Sequence, residues 1–183
     1  MGEDPYLAGE MVVPYIRSAQ QNGVACCLKH FFLNNQETDR FKVNVNVSER
    51  AVNEIYLPAF KKAVQRGGVW TMMASYNKWL GVHCCQNDSL LNGILKRQWR
   101  FDGAVISDWG GVNDTWQAAT GGLDIEMGSF TDGKLKESEF TYNDYYLARP
   151  FEQLLKAGKT PMSVLDDKVS RVLRTIFRTA MNP

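Results

Sequence analysis

Three short apolar runs, each ending in side chains that carry charge or hydrogen-bonding groups, constrain this chain more than any other feature. They cover residues 24–28 after Gly23, 69–75 after Gly67-Gly68, and 103–107, the last reading GAVIS. Runs this short, apolar and without alternation read as strands buried on both faces, the kind that parallel sheets use. Residues 123–127 read as a fourth. Between them lie stretches of helical period: 6–20, with a kink expected at Pro14; 48–64, capped by Ser48 and carrying Pro58; 89–98; a brief one over 116–119; and 163 to about 179, opened by a capping box of Ser163 and Asp166. Residues 129–149 have no clean period and read as a long loop.

Strands alternating with helices predict βα units and a parallel sheet. About four units fit into 183 residues, whereas a complete (β/α)₈ barrel takes ~250 residues. Pattern alone leaves half a barrel and a small doubly wound sheet both open. Hydrophobic residues at 44% and charged residues at 22% exclude a disordered chain. A net charge of +1 gives no electrostatic footprint for nucleic acid, and Arg171, Arg174 and Arg178 read as the solvated face of the last helix. No stretch reaches the roughly 18 apolar residues of a membrane span. The cysteines come as adjacent pairs, Cys26-Cys27 and Cys84-Cys85. That is not the spacing of a metal half-site, and with only two histidines no metal is expected and all four thiols read as small core residues.

In parallel α/β folds the carboxyl ends of the strands carry the chemistry. Here Lys29-His30 follow the first run, Ser75-Tyr76 the second and Ser107-Asp108-Trp109 the third. One such end is unremarkable, since a lone aspartate after a strand is as often a helix cap as a catalyst. Three on one rim predict a pocket. Lys29, His30 and Arg40 would supply donors, Asp108 an acceptor or nucleophile, and Tyr76, Trp79 and Trp109 flat surfaces, a set suited to sugar hydroxyls and ring faces.

The same segments resemble glycoside hydrolase family 3. KHFFLNNQETDR (29–40) is similar to the family's Lys-His element with its following arginine, MMASYN (72–77) to its next strand end, and GAVISDWGG (103–111) to its nucleophile strand. GEDPYLAGE near the start and GLDIEMG (122–128) match flanking elements in the same order. The resemblance implies the C-terminal portion of a (β/α)₈ TIM-type barrel. It makes Asp108 the nucleophile, with Lys29, His30 and Arg40 holding glycone hydroxyls and Met73, Tyr76 and Trp109 lining the same subsite. It also implies a retaining exo-β-glycosidase acting on a β-glucoside or short β-linked oligosaccharide, with no cofactor. Because the family's barrel begins upstream of the segment resembling Met1, residues 1–183 are expected to be one partial barrel domain, the upstream strands and the following second domain being absent from it. The loop FFLNNQET has neither the histidine nor the glycines of the N-acetylglucosaminidase branch, which leaves the chain without an identified general acid. Glu37, Asp124 and Glu126 are poor candidates for that role.

Three other readings compete. Lys29 could be the Schiff-base amine of a lyase, though His30, Arg40 and the SDW triplet have no task in that chemistry. The chain could be a non-catalytic carbohydrate-binding remnant. It could also be a half-barrel without function of its own, whose open strand edges would favour self-association.

Overall fold

The computed structural model describes residues 2–128 and 142–180. Helix α1, Pro5–Gln21, is started by Asp4, whose carboxylate accepts from the Tyr6 and Leu7 amides at 2.7 and 3.2 Å. It runs through Pro14 without the expected interruption and buries Val12, Val13 and Ile16. Its partner, α2, covers residues 49–67, with Ser48 Oγ accepting from Ala51 N as its cap. Pro58 does not end it. The turn ahead of the proline is wide, Leu57 N donating to Val52 O five residues back at 2.9 Å. That lodges one extra residue where an ordinary turn would clash with the ring. Gly68, at φ 66°, closes the helix in the left-handed conformation that a side chain would disfavour.

Strands β1 (Cys27–Phe31), β3 (Thr71–Ala74) and β6 (Ala104–Ser107) form one sheet in the order β1-β3-β6, all parallel. β1 lies three residues further along than the first apolar run predicts, so Lys29 and His30 sit within the strand and not after it. The signal was displaced because β1 is an edge strand with exposed positions at Cys27 and Lys29, which breaks the hydrophobic run on which the prediction rested. The expected fourth strand is reduced to one bridge, Ile125 beside Ile106, although Ser107 N to Ile125 O (2.9 Å) and Ile125 N to Val105 O (3.0 Å) continue the parallel pattern. Strands consecutive in sequence are neighbours in space. This is the order of successive units in a (β/α)₈ barrel, where a doubly wound sheet reverses direction partway.

A second, small sheet was not foreseen. Strand β2 (Asn44–Val45) pairs in parallel with β4 (Lys78–Trp79), which turns back into β5 (Val82–His83) through Leu80 and Gly81, both at positive φ. Strands of two residues leave no periodicity to read. Helices α3 (Ser89–Gln98), α4 (Thr115–Thr120), α5 (Arg149–Lys156) and α6 (Met162–Ala180), with short 3-10 turns at Cys84–Gln86 and Tyr142–Asp144, complete the described elements. α6 begins one residue before the expected cap, placing Ser163 inside its first turn. The loop expected at 129–149 lies mostly outside the described residues, and its last residue already opens α5. Among the described residues no helix is long and apolar enough to cross a membrane.

The core centres on Phe31, Phe32, Met72, Leu90, Leu91, Leu95, Val105 and Leu123, all fully buried. Cys84 and Cys85 belong to it, but Cys27 is exposed and Cys26 half-buried, so only one of the two pairs meets the core expectation; all four are free thiols. A buried ion pair ties the back of the sheet together. Asp124 receives Lys96 Nζ at 2.8 Å on one carboxylate oxygen and the Val105 amide at 2.8 Å on the other. Removing one member would strand an unpaired charge at a cost of ~3–5 kcal/mol. Asp124→Asn is therefore expected to lower the urea midpoint sharply and Asp124→Asn/Lys96→Met to recover much of the loss; a double variant as unstable as the single one would refute the pairing. Gly103 is held by a second constraint, because a Cβ there would lie 2.0 Å from the Trp70 carbonyl oxygen. Gly103→Ala should cost ~1–3 kcal/mol of stability, the price of overpacking, measured by equilibrium denaturation.

Candidate active site

The sheet delivers its polar strand ends to one rim because the strands stop side by side, Phe31 beside Ala74 and Ala74 beside Ser107. The ladder then extends one residue further, Asp108 N donating to Ala74 O at 3.3 Å, so Asp108 leaves the sheet at its edge. Its carboxylate is almost buried, with a side chain 10% exposed, and three groups orient it. Oδ1 accepts from the Trp109 amide at 2.8 Å and from the Tyr76 hydroxyl at 2.9 Å. Oδ2 lies 3.3 Å from His30 Nε2. The arrangement holds one oxygen tightly and leaves the other facing the half-exposed histidine.

Tyr76 is kept a donor. Burial, and then the hydrogen bond to the Asp108 carboxylate, push its phenol far above the ordinary tyrosine range. The Tyr76 ring packs at a tilt against Phe41, centroids 4.3 Å apart, and the Arg40 guanidinium lies 4.8 Å from the Tyr76 centroid and 5.2 Å from that of Phe41. Arg40 also pairs with Glu37. Arg40 thus reaches the aspartate through Tyr76.

The other predicted residues divide. Lys29 is exposed on β1 next to His30, Met73 is buried on β3 opposite Ile106, and Trp109 stands on the rim 45% exposed. Trp79 is taken up by packing, its ring edge-on to Phe32 at 5.0 Å and against the core, so the flat surface expected of it faces other side chains. The three carboxylates weighed as acids are engaged as well: Glu37 with Arg40, Asp124 with Lys96, and Glu126 with the Leu147 amide at 2.7 Å. Among the described residues no cluster of histidine, cysteine and carboxylate side chains could hold a metal ion.

Three supporting residues escaped the sequence reading. Phe41 carries the Arg40–Tyr76 stack. His83 puts Nδ1 2.9 Å from the Tyr76 carbonyl, and burial lowers its pKa, so the neutral ring donates from Nδ1 and steadies the strand end. Cys85 sits under the Asp108 loop, with Sγ 3.3 Å from Ser75 O and 3.5 Å from Ala74 O, and burial raises its thiol far out of the reactive range. The loop passes over it at Gly111, where a Cβ would come within 2.8 Å of the sulfur. The Leu80-Gly81 turn was the one legible hint of the hairpin that places His83. Because the Asp108 charge helps to hold the phenol protonated, Asp108→Asn should let Tyr76 ionise at lower pH than in the parent chain. Carbon NMR of ring-labelled tyrosine, assigned with Tyr76→Phe, checks this, and an unchanged titration would contradict the contact.

The profile of the glycosyl hydrolase family 3 N-terminal domain matches residues 1–175. A β-glucosidase of Bacteroides ovatus is 58% identical over 182 residues, which is 100% of this chain and 24% of that protein. An exo-α-(1→6)-L-arabinopyranosidase of Bifidobacterium longum is 47% identical over 134 residues, 73% of this chain and 18% of that protein. The solved structure of β-glucosidase 3B from Thermotoga neapolitana in complex with glucose superposes with a TM-score of 0.87 at 37% identity, covering 98% of this chain and 24% of that one. The chain therefore spans about a quarter of the length of the β-glucosidases it resembles.

Proposed function

The chain belongs to glycosyl hydrolase family 3, and from that premise we propose that it is the nucleophile-bearing part of a retaining exo-β-glycosidase acting on terminal β-D-glucosyl residues. The observation that carries this reading is the Asp108 carboxylate, held by Tyr76, the Trp109 amide and His30 at the end of β6. Oδ1 already accepts two hydrogen bonds, so Oδ2 is the oxygen that attacks the anomeric carbon. The C1–O bond to the leaving group breaks as the C1–Oδ2 bond forms, and a carboxylic acid protonates the departing oxygen. Water, deprotonated by the same group, then opens the glycosyl ester with net retention. Lys29, His30 and Arg40 hold the glycone hydroxyls, while Met73, Tyr76 and Trp109 line the subsite. The general acid is none of the three carboxylates weighed above, since Glu37, Asp124 and Glu126 are each engaged elsewhere.

Incubation with an aryl 2-deoxy-2-fluoro-β-glucoside, followed by intact mass measurement, tests the nucleophile. One glycosyl adduct is expected on the parent sequence and none on Asp108→Asn; full labelling of the asparagine variant sinks the assignment. A chain without that acid should retain activity only on leaving groups that need no proton. Alkyl glucosides should then fall short of nitrophenyl glucosides by a further ~10²- to 10⁴-fold, the usual contribution of general acid catalysis. Glucose or lactone binding without any labelling would favour a carbohydrate-binding remnant, and borohydride trapping at Lys29 a lyase.

The similarity to an arabinopyranosidase gives a second glycone a specific claim. Relative kcat/KM on nitrophenyl β-D-glucopyranoside and nitrophenyl α-L-arabinopyranoside decides between the two.

A further inference from the structure

Beside the Asp108 loop lies a second concavity that the proposed reaction does not use. A groove of about 400 Å³ runs between the segment from Val82 to Ser89 and helix α4, within the ~300–1,000 Å³ range of small-molecule sites. On α4 the residues Ala118 and Ala119 are buried against the core, while Trp116 lies on the groove side, 56% exposed. An indole left this far in water gives up most of the stabilisation that its burial would bring.

The polar groups around that ring are fixed in advance. Gln86 forms the floor: its Oε1 accepts from the Asn113 and Asp114 amides at 2.9 and 3.2 Å, and its Nε2 donates to Gln117 Oε1. That bond leaves the Gln117 amide nitrogen as the outward donor. Asp88 Oδ1 accepts from Asn92 Nδ2 at 2.8 Å, which orients the carboxylate and leaves Oδ2 as an acceptor, and the Ser89 hydroxyl stands exposed beside it. A flat apolar ring, a fixed amide donor, a carboxylate acceptor and a hydroxyl are what a pyranose needs: C–H bonds on the ring face and hydroxyls around its edge. No lysine or arginine lines the groove, which disfavours phosphorylated ligands.

We infer that this groove is an accessory carbohydrate-binding site for β-linked glucosyl residues, stacked on Trp116 and hydrogen-bonded by Asp88, Ser89 and Gln117. The choice of sugar rests on the glycosidase reading, whereas the existence of the site does not. Because Gln86 also holds the backbone at 113–114, a sugar bound here leans on the segment that follows the nucleophile loop.

Cellobiose titrated into the ¹⁵N-labelled Asp108→Asn chain is the test, since that variant cannot turn it over. Saturable shifts are expected at the Trp116 indole and at the amides of Asp88, Ser89 and Gln117. Trp116→Ala should weaken binding there by about tenfold, the loss of one stacking contact, while Trp116→Phe retains part of it. Shifts confined to His30 and Trp109 would overturn the groove and leave the glycosidase reading standing. Groove shifts without any at His30 and Trp109 would support the groove and count against that reading. Groove amides that do not move, or that move equally in Trp116→Ala, overturn the proposal.

Discussion

The backbone ladder that sets Phe31, Ala74 and Ser107 side by side brings His30, Tyr76 and Asp108 together at the proposed site. Since strand side chains alternate between faces, a slip of one residue in either pairing would turn the polar ends over. The Asp108 amide extends that ladder to Ala74 O, which carries the carboxylate to the rim at the height of the Tyr76 hydroxyl. His30 meets it from the far strand. The three contacts on one carboxylate are consequences of sheet register, and β3, whose four residues are all buried, holds that register by pairing with both of its neighbours.

Around this ladder the buried polar groups act as struts. Asp124 joins Lys96 to the Val105 amide behind the sheet, and Gln86 joins the β3 loop to the β6 loop in front of it. Cys85 fills the space beneath, close enough to require glycine at 111. Such groups contribute little net stability once desolvation is counted, but each tolerates few alternative geometries. A nucleophile benefits from that kind of support, because its orientation is set before substrate arrives.

The site is asymmetric in a way that matters for chemistry. One carboxylate oxygen is saturated by two donors, one of them a phenol that burial keeps protonated. The other faces a half-exposed imidazole. Across the β6 loop the groove beside Trp116 has the reverse character, an exposed ring with free hydrogen-bonding groups and no buried charge.

Much of this was legible from residue order alone. The GAVIS run, the glycines at 67–68 and the polar residues at 29–30, 75–76 and 107–109 pointed to a parallel α/β fold with polar residues gathered at its strand ends, because buried strands and their termini leave local signals. The first strand was misplaced by three residues because it lies at an edge, where exposure erases the apolar run. Helix α5 and the role of Phe41 left no local signal strong enough to read, and the hairpin carrying His83 left only its Leu80-Gly81 turn. Trp79 and Trp109 look alike in sequence; only packing sent one against Phe32 and the other to the rim. Which partners Asp108 would have, and on which oxygen each would sit, was decided by contacts between residues 32 and 78 positions apart. No local propensity encodes those contacts; they exist once the sheet is assembled.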